Sequence, residues 1–519
     1  MDPFNKLPAL VQAELFIHVD SVANIMLLIQ TSPAMASLFL TWKTSILQRI
    51  LTTLLIDDTN GDIVQDALAV LNFPCPETSS IPSIRRHIEN WAAQGFNNPF
   101  QQSDQAMIQS LHRLFSRMTL FIEDYLAKAT DPFPPRAYMA VPGVISPGPW
   151  FKGKRIDVKP VKFIVLTCSE RIRLLRAFSF RYELLCKIYH PRVWPWIEHS
   201  SCADRVELMH ERFQLMDYKR LHCVHEYFRG VYGAIFAHCQ DSWLPDRLTF
   251  WYSSGNQSHS AANYGLLYPY AVYFSAADYL SDTNIQSWNL SRILPCLGLD
   301  LLVHILASLQ EQEDYERYLS RWFNAFSNDL GWTHTPWVFN RHFSKHHEES
   351  ATFDLNVYRW GLSRNSPYRR FTPRPILEHY SEYDSWSREK QERRLLEIHQ
   401  LQLNIYRQRA WAFFDDARLY PGGKSHFLTM EDLDLQDQIA NDRLGLRYER
   451  SRRRSQKWQD YYWGRTLDNP LYVEEEEEEE EEVTLEDNEE HLTRFFEKPV
   501  TGNIPSFWRQ GSMNAQGSS

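Results

Sequence analysis

The sequence predicts a mainly α protein with a bundle of short helices at the N-terminus, a large helical body and a disordered acidic tail. Within residues 1–56, four short segments carry apolar residues at helical spacing. Through 104–126, apolar residues step by four and three, which is typical of a long helix packed on one face. Only 19 of the 519 residues are glycine, against a usual share of about 7%, so folds built on many tight turns are disfavoured.

Residues 1–56 form the first unit that the sequence predicts. Leu7-Pro8 opens its first helix, Ser32-Pro33 gives a side-chain cap followed by a proline for the third, and Thr44 or Ser45 caps a fourth. Four helices in about fifty residues cannot bury all of their apolar faces alone. We therefore expect this unit to pack on something else. The apolar stripe of its first helix consists of Val11, Leu15 and Val19.

A helical segment over 57–130 and a proline-rich segment over 131–160 come next. The stripe in 104–126 predicts a helix buried inside the body rather than an intermolecular coiled coil, because charge pairing beside the stripe is sparse. Six prolines in residues 131–150 predict an extended loop, since proline removes a backbone donor and restricts the residue before it. The apolar content of this loop favours one that lies over the body.

Residues 161–470 are predicted to form the helical body that binds a substrate or partner. An aromatic, β-prone stretch at 248–275 could form a small sheet or a long ordered loop. A long helix is predicted over 386–418, and Pro421-Gly422-Gly423 is expected to end it. The helical windows are 170–189, 204–239, 289–327 and 386–418.

The net charge of −10 is concentrated in the tail, residues 471–519. Residues 474–490 hold thirteen acids and no base, nine of the acids being consecutive glutamates, so the rest of the chain carries +3. This tail is too charged to collapse. The near-neutral remainder gives no electrostatic reason to expect nucleic-acid binding.

A basic stretch precedes the acidic run and has three interpretations. It could be a nuclear import patch, an intramolecular counter-ion for the acidic tail, or a solvated helix face. Its residues are Arg450, Arg452, Arg453, Arg454 and Lys457.

Two groups of residues resemble metal sites at first sight. His342 and His346 lie one helical turn apart, but no matching third ligand and no interposed glutamate are evident, so a polar stretch is favoured over a metal site. A second group matches no zinc-finger spacing, and buried side chains explain it better. No catalytic motif is found, so we expect neither a cofactor nor an enzyme. The second group is Cys202, His210, His222, Cys223, His225, His238 and Cys239.

The sequence also predicts an intracellular protein, cytoplasmic, nuclear or both. Its seven cysteines are scattered and form no C-x-x-C pair, which is typical of reduced thiols. The N-terminus lacks the pattern of a secretory signal. The longest apolar stretch, 294–309, contains Asp300 and His304 and is too short to cross a bilayer, so no membrane partner is expected.

The opening of the chain resembles an F-box, in the divergent F-box-like form of large fungal protein families. The resemblance covers about 50 residues. A later helix, residues 45–51, is also similar to one that follows in those families. The matching residues are Leu7-Pro8, Leu15-Phe16, Val19-Asp20, Ile25, Leu27-Leu28-Ile29 and Thr31 to Met35.

This resemblance implies a substrate adaptor that docks the Skp-type linker of a cullin–RING ubiquitin ligase, while the body recruits an unknown protein substrate. The alternative from the residues is that 1–56 are simply the first helices of the body. Another alternative is a stand-alone, non-enzymatic scaffold, perhaps nuclear, whose acidic tail binds basic partners. The positions that match the docking face are Leu7, Pro8, Leu15, Phe16, Val19 and Ile25.

Overall fold

A computed structural model describes residues 2–188, except 20–21, 75–80, 103, 132–133, 146–147, 153 and 157, together with 215–239, 273–276, 294–311, 319, 401 and 403–415. These residues are mainly α, as the sequence predicts. The basic stretch and the acidic tail lie outside the described residues, and so does the β-prone stretch except for residues 273–275.

Three helices form the N-terminal bundle. After a turn at Pro3–Lys6 come α1 (Ala9–Ile17), α2 (Val22–Thr31) and α3 (Pro33–Leu54). The predicted third and fourth helices are the two halves of α3, which is kinked where Trp42 leaves helical geometry at φ −112° and ψ 16°. Both α1 and α2 pack on α3.

The next helices lead into the central helix of the molecule. They are α4 (Asp62–Leu71), α5 (Ile81–Ala92), the short α6 (Pro99–Gln102) and α7 (Gln105–Thr130). The Asp104 carboxylate caps α7 by accepting a 3.0 Å hydrogen bond from the backbone N–H of Met107. The predicted core helix is confirmed, because α7 buries nearly all of the stripe and contacts both α3 and α4.

The proline-rich segment is not the uniform extended loop that its sequence predicts. It contains a helix, α8 (Pro134–Met139), and two antiparallel strands of two residues each, β1 (Trp150–Phe151) and β2 (Lys154–Arg155). Proline is tolerated in the first turn of a helix, where its missing N–H is not needed, so Pro134 and Pro135 begin α8 rather than prevent it. Residues 137–141 are fully buried, so this segment belongs to the core.

Four further helical elements complete the body around α7. They are α9 (Cys168–Leu175), which continues through a π-helical segment (Arg176–Tyr182) into α10 (Glu183–Ile188), then α11 (Leu215–Cys239) and α12 (Leu299–Glu311). Thr167 and Glu170 form a capping box at the start of α9. The π-helical segment packs on α11, where the rings of Tyr182 and Phe228 are centred 5.4 Å apart.

The helix predicted over 386–418 is wrong at its C-terminal end. Residues 403–408 are helical, but the chain then turns at Ala410, whose φ is +57°, so this helix ends at 408 and does not run on unbroken as predicted. The turn buries Phe413 and Phe414 in the core. One apolar core runs from Phe16 to Phe414, so the N-terminal bundle and the body share it.

Candidate docking surface on the N-terminal helices

The position of α1 is fixed by one polar and one aromatic side chain on its inner side. The Gln12 amide nitrogen donates to the backbone oxygens of Phe4 at 2.7 Å and Leu7 at 3.0 Å, which ties the turn before α1 to the helix. Phe16 is completely buried, and its ring centre lies 5.2 Å from that of Phe39 on α3. These contacts determine which side of α1 faces outward.

The turn at 3–6 is held in place by the carboxylate of Asp2. One carboxylate oxygen accepts a 2.9 Å hydrogen bond from the Phe4 N–H. The other accepts from the Ser32 hydroxyl at 2.7 Å and from the Ala34 N–H at 3.0 Å, at the start of α3. These hydrogen bonds, that from Ala34 foremost, hold the pKa of Asp2 below its ordinary value. The chain before α1 is therefore anchored to α3.

On the outer side, this arrangement leaves an apolar surface. Leu10 is 72% exposed, Val11 42% and Leu7 36%, and Pro8 between them is exposed as well. Leu10 and Val11 lie in the first turn of α1, and Leu7, whose backbone is extended, precedes the helix together with the N-cap residue Pro8. We call Leu7, Pro8, Leu10 and Val11 the docking face.

An ion pair borders the docking face one turn further along α1. The Arg49 guanidinium of α3 lies 2.6 Å from the Glu14 carboxylate, and both side chains are exposed. Exposed pairs of this kind contribute little stability, at most about 1 kcal/mol. Glu14 therefore marks the polar border of the docking face rather than a strong link between the helices.

The six predicted docking residues occupy three kinds of position. Leu7 and Pro8 are exposed on the docking face. Leu15 and Val19 are half-buried and pack against the core. Phe16 and Ile25 are buried, with Ile25 only 5% exposed, so they support the face from inside and are not part of the surface.

The predicted stripe of α1 runs from the exposed Val11 to the half-buried Leu15 and Val19, with Val19 beyond the end of the helix at Ile17, and it leaves out Leu10. Leu10 is the most exposed apolar residue of the docking face, whereas Leu15 points partly inward. Helix α1 is apolar almost all round, so periodicity alone could not decide which side is buried. The buried Gln12 one turn before Phe16 was the available signal, because its amide satisfies backbone groups of the entering chain.

The described part of the chain contains no group of three histidine, cysteine or acidic residues that could hold a metal ion. His225 instead contacts the Tyr182 hydroxyl through Nδ1 at 3.1 Å, and His238 lies between the rings of Trp150 and Phe151. Burial raises the pKa of the Cys223 thiol to about 12, which keeps it protonated. The candidates outside the described residues are Cys202, His210, His342 and His346.

Among the described helices, none combines the length and the apolar character needed to cross a membrane. Searches with this chain against protein-family models, curated proteins and solved structures returned no match.

Proposed function

We propose that this chain is an F-box-like substrate adaptor, whose docking face binds the Skp-type linker of a cullin–RING ubiquitin ligase and whose body recruits a protein substrate. One observation carries the proposal: the apolar side chains of Leu7, just before α1, and of Leu10 and Val11, in its first turn, are exposed, while α1 itself packs on α3. Exposed apolar groups clustered beside polar residues are typical of protein–protein interfaces. The resemblance of the opening of the chain to an F-box, to which Leu7 and Pro8 belong but Leu10 and Val11 do not, names the partner.

The support beneath the docking face favours binding without rearrangement. Gln12 fixes the entering turn, Phe16 fixes α1, and Asp2 connects the turn to α3. A surface held in one conformation loses little conformational entropy when a partner covers it. The adaptor supplies no chemistry in this proposal, so its specificity depends on contact surfaces alone.

The experiment measures the affinity of the full-length chain for a purified Skp-type linker by calorimetry. The test variant is Leu7→Asp/Leu10→Asp, which places two carboxylates on the docking face. The matched control is Ile164→Asp, because Ile164 is 71% exposed on a turn of the body. Circular dichroism checks that both variants are folded.

We expect wild type and I164D to bind alike and the double variant to bind about 30-fold more weakly or worse, since a central apolar contact is worth about 2 kcal/mol. Equal affinities for all three proteins would contradict the proposal. So would a wild-type chain that does not bind the linker at all.

A further inference from the structure

A strongly basic segment runs from the turn after β1 through β2 to residue 162. Residues 152–162 contain five basic residues and a single acid. Arg155 and Lys159 are exposed, and the side chain of Lys162 is 42% exposed. Two apolar residues that follow the segment are 71% and 61% exposed. We call the five exposed residues the cationic face: Arg155, Lys159, Lys162, Ile164 and Val165.

The cationic face is held in place from its inner side. Ile156, Val158 and Phe163, which alternate with its exposed residues, are buried in the core. The Phe163 N–H donates a 2.9 Å hydrogen bond to the Glu123 carboxylate of α7. The Ile156 N–H donates to the backbone oxygen of Pro149 at 3.0 Å. Because the buried residues are anchored, the cations between them are held on the surface of the body.

The described residues balance the positive charge of this face only in part. Lys162 lies 3.8 Å from the Glu123 carboxylate, which is beyond hydrogen-bonding distance. Among the ion pairs of the described part of the chain, none includes Arg155 or Lys159. Exposed cations grouped in one short segment create a positive field that attracts an acidic chain. A chain of many acids needs no single point at which the cations converge, because it distributes its charges along them.

The acidic tail has the composition that complements the cationic face. Glu474 to Glu482 are nine consecutive acids, and Leu471, Tyr472 and Val473 stand directly before them. Apolar residues thus adjoin the charged ones in the tail, as they do on the face. Nine extended residues span about 30 Å, and the three cations lie on a segment that spans at most about 25 Å. The run of glutamates is therefore long enough to contact all of them.

The last described residue lies close to this face. The Asp415 carboxylate accepts hydrogen bonds from the Thr167 hydroxyl at 2.6 Å and from the Ser169 hydroxyl at 3.0 Å. Thr167 follows Val165 by only two positions. The stretch 416–470 joins Asp415 to the tail, and even as a continuous helix it would be about 80 Å long. The tail can therefore reach the face, and a tethered ligand binds at a high effective concentration.

We propose that the acidic tail of this chain binds intramolecularly to the cationic face. Glutamates 474–482 pair with the three cations, and residues 471–473 cover the two apolar side chains of the face. This contact adds to the proposed adaptor function and does not depend on it. The basic stretch, Arg450 to Lys457, is the rival site for the tail, and the experiment separates the two.

The test treats the full-length chain with a water-soluble carbodiimide, which joins a carboxylate to a lysine only where the two groups are already in contact. Mass spectrometry then identifies the lysines that are joined to the peptide containing Glu474–Glu482. The test variant is Arg155→Gln/Lys159→Gln, and the yield is read at Lys162, which every protein retains. The matched control, Lys6→Gln/Arg86→Gln, removes two exposed cations elsewhere. Cross-linking of Lys162 to its neighbour Glu123 is the internal reference.

At low salt we expect the tail to be joined to Lys159 and Lys162 within single molecules of wild type. The yield at Lys162 should be unchanged in the control and fall about threefold or more in the test variant, since each exposed cation contributes a factor of up to about five. Salt at about 1 M should abolish these cross-links, because the Debye length falls to about 3 Å.

Four outcomes of this experiment would overturn the proposal. The first is a tail joined to Lys457 alone, and the second is an equal yield at Lys162 in all three proteins. The third is cross-links that form only between two copies of the chain. The fourth is the absence of any cross-link to the tail while Lys162 is joined to Glu123.

A second readout follows how fast acetic anhydride modifies the lysines of the full-length chain. The variant carries the nine changes from Glu474→Gln to Glu482→Gln, which remove the charge of the tail and keep its length. Lys159 should react at least about twofold faster in this variant, because an ammonium that is covered half of the time reacts at half the rate. Lys6 should react equally in both proteins. Equal rates at Lys159 as well would show that the tail does not cover the cationic face.

Discussion

Arg409 shows how a single buried cation holds a remote part of the chain in the core. It is 2% exposed, and its guanidinium donates to the backbone oxygens of Ala129 at 2.9 Å and Asp131 at 2.7 Å, at the C-terminal end of α7. The last carbonyls of a helix lack partners within the helix and carry its negative dipole end. Arg409 therefore caps α7 from about 280 residues away along the sequence.

Replacing Arg409 by methionine should destabilise the chain by about 3 kcal/mol, because two buried carbonyls lose their donor. The matched control is Arg407→Met, two positions earlier, whose side chain is half-exposed and bonds Asn404 within its own helical turn. That change should cost less than about 1 kcal/mol. Urea unfolding measures both free energies, and equal losses would mean that the capping of α7 is not what Arg409 contributes.

His238 makes stability depend on pH. Its ring centre lies 4.9 Å from that of Trp150 and 4.7 Å from that of Phe151, and Nδ1 accepts a long 3.4 Å hydrogen bond from the Lys152 N–H. Burial, with repulsion from Lys152, lowers the pKa of His238 to about 3. Since the unfolded chain binds this proton near pH 6.5, the stability that the neutral ring contributes is complete above that pH and falls between about 6.5 and 3.

On lowering the pH from 7 to 5, wild type should lose about 2 kcal/mol more free energy of unfolding than His238→Asn. The asparagine side-chain oxygen can replace Nδ1 as an acceptor and does not titrate. Denaturant unfolding at the two pH values gives the comparison. Parallel losses in the two proteins would show that His238 is not buried in the neutral form.

At the scale of the element, α3 depends on its first turn. Ser32 is 2% exposed, and its hydroxyl oxygen accepts from the Met35 N–H at 3.1 Å while its proton goes to Asp2. This single side chain both caps α3 and anchors the turn that leads to the docking face.

Ser32→Ala should therefore cost about 1 to 2 kcal/mol of stability, at the upper end for a cap because Asp2 loses a donor too. The control is Thr31→Ala next to it, whose exposed hydroxyl bonds only the carbonyls of the preceding turn of α2. We expect this control to change stability by less than about 0.5 kcal/mol. Thermal and urea unfolding measure the stability of both variants. If Ser32→Ala loses no more stability than Thr31→Ala, Ser32 does not have this role.

How far the sequence predicts each element depends on whether local or distant contacts decide it. The cap at Ser32-Pro33 and the stripe of α7 are local patterns, and both predictions are confirmed. Helix α8 was missed because six prolines dominated the pattern, although two of them occupy a first turn. The turn at Ala410 was missed since Arg409 and Phe413 take partners far away in the sequence.

The candidate docking face was predicted in part for the same reason. Leu7 and Pro8 were identified correctly as surface residues, but nothing in the local pattern separates Leu10, which is exposed, from Phe16, which is buried. That difference arises from the tertiary contact with Phe39 on α3. A stripe can show that a helix packs, but the neighbouring helix decides which side it packs on.

At the scale of the whole molecule, the N-terminal bundle is part of the body and also presents a surface. Helix α3 packs against α7, and the core is continuous through both. The first alternative, that residues 1–56 are the first helices of the body, is therefore compatible with adaptor function. A rigid connection of this kind would fix the distance between a linker bound at α1 and a substrate bound on the body.

The most direct test of the account is hydrogen–deuterium exchange of the full-length chain with and without a purified Skp-type linker. If the docking face binds the linker, exchange should slow in residues 3–17 and stay unchanged in the buried helix α7. Protection confined to other parts of the chain, or no protection at all at saturating linker, would contradict the claim that the exposed side of α1 is a docking surface.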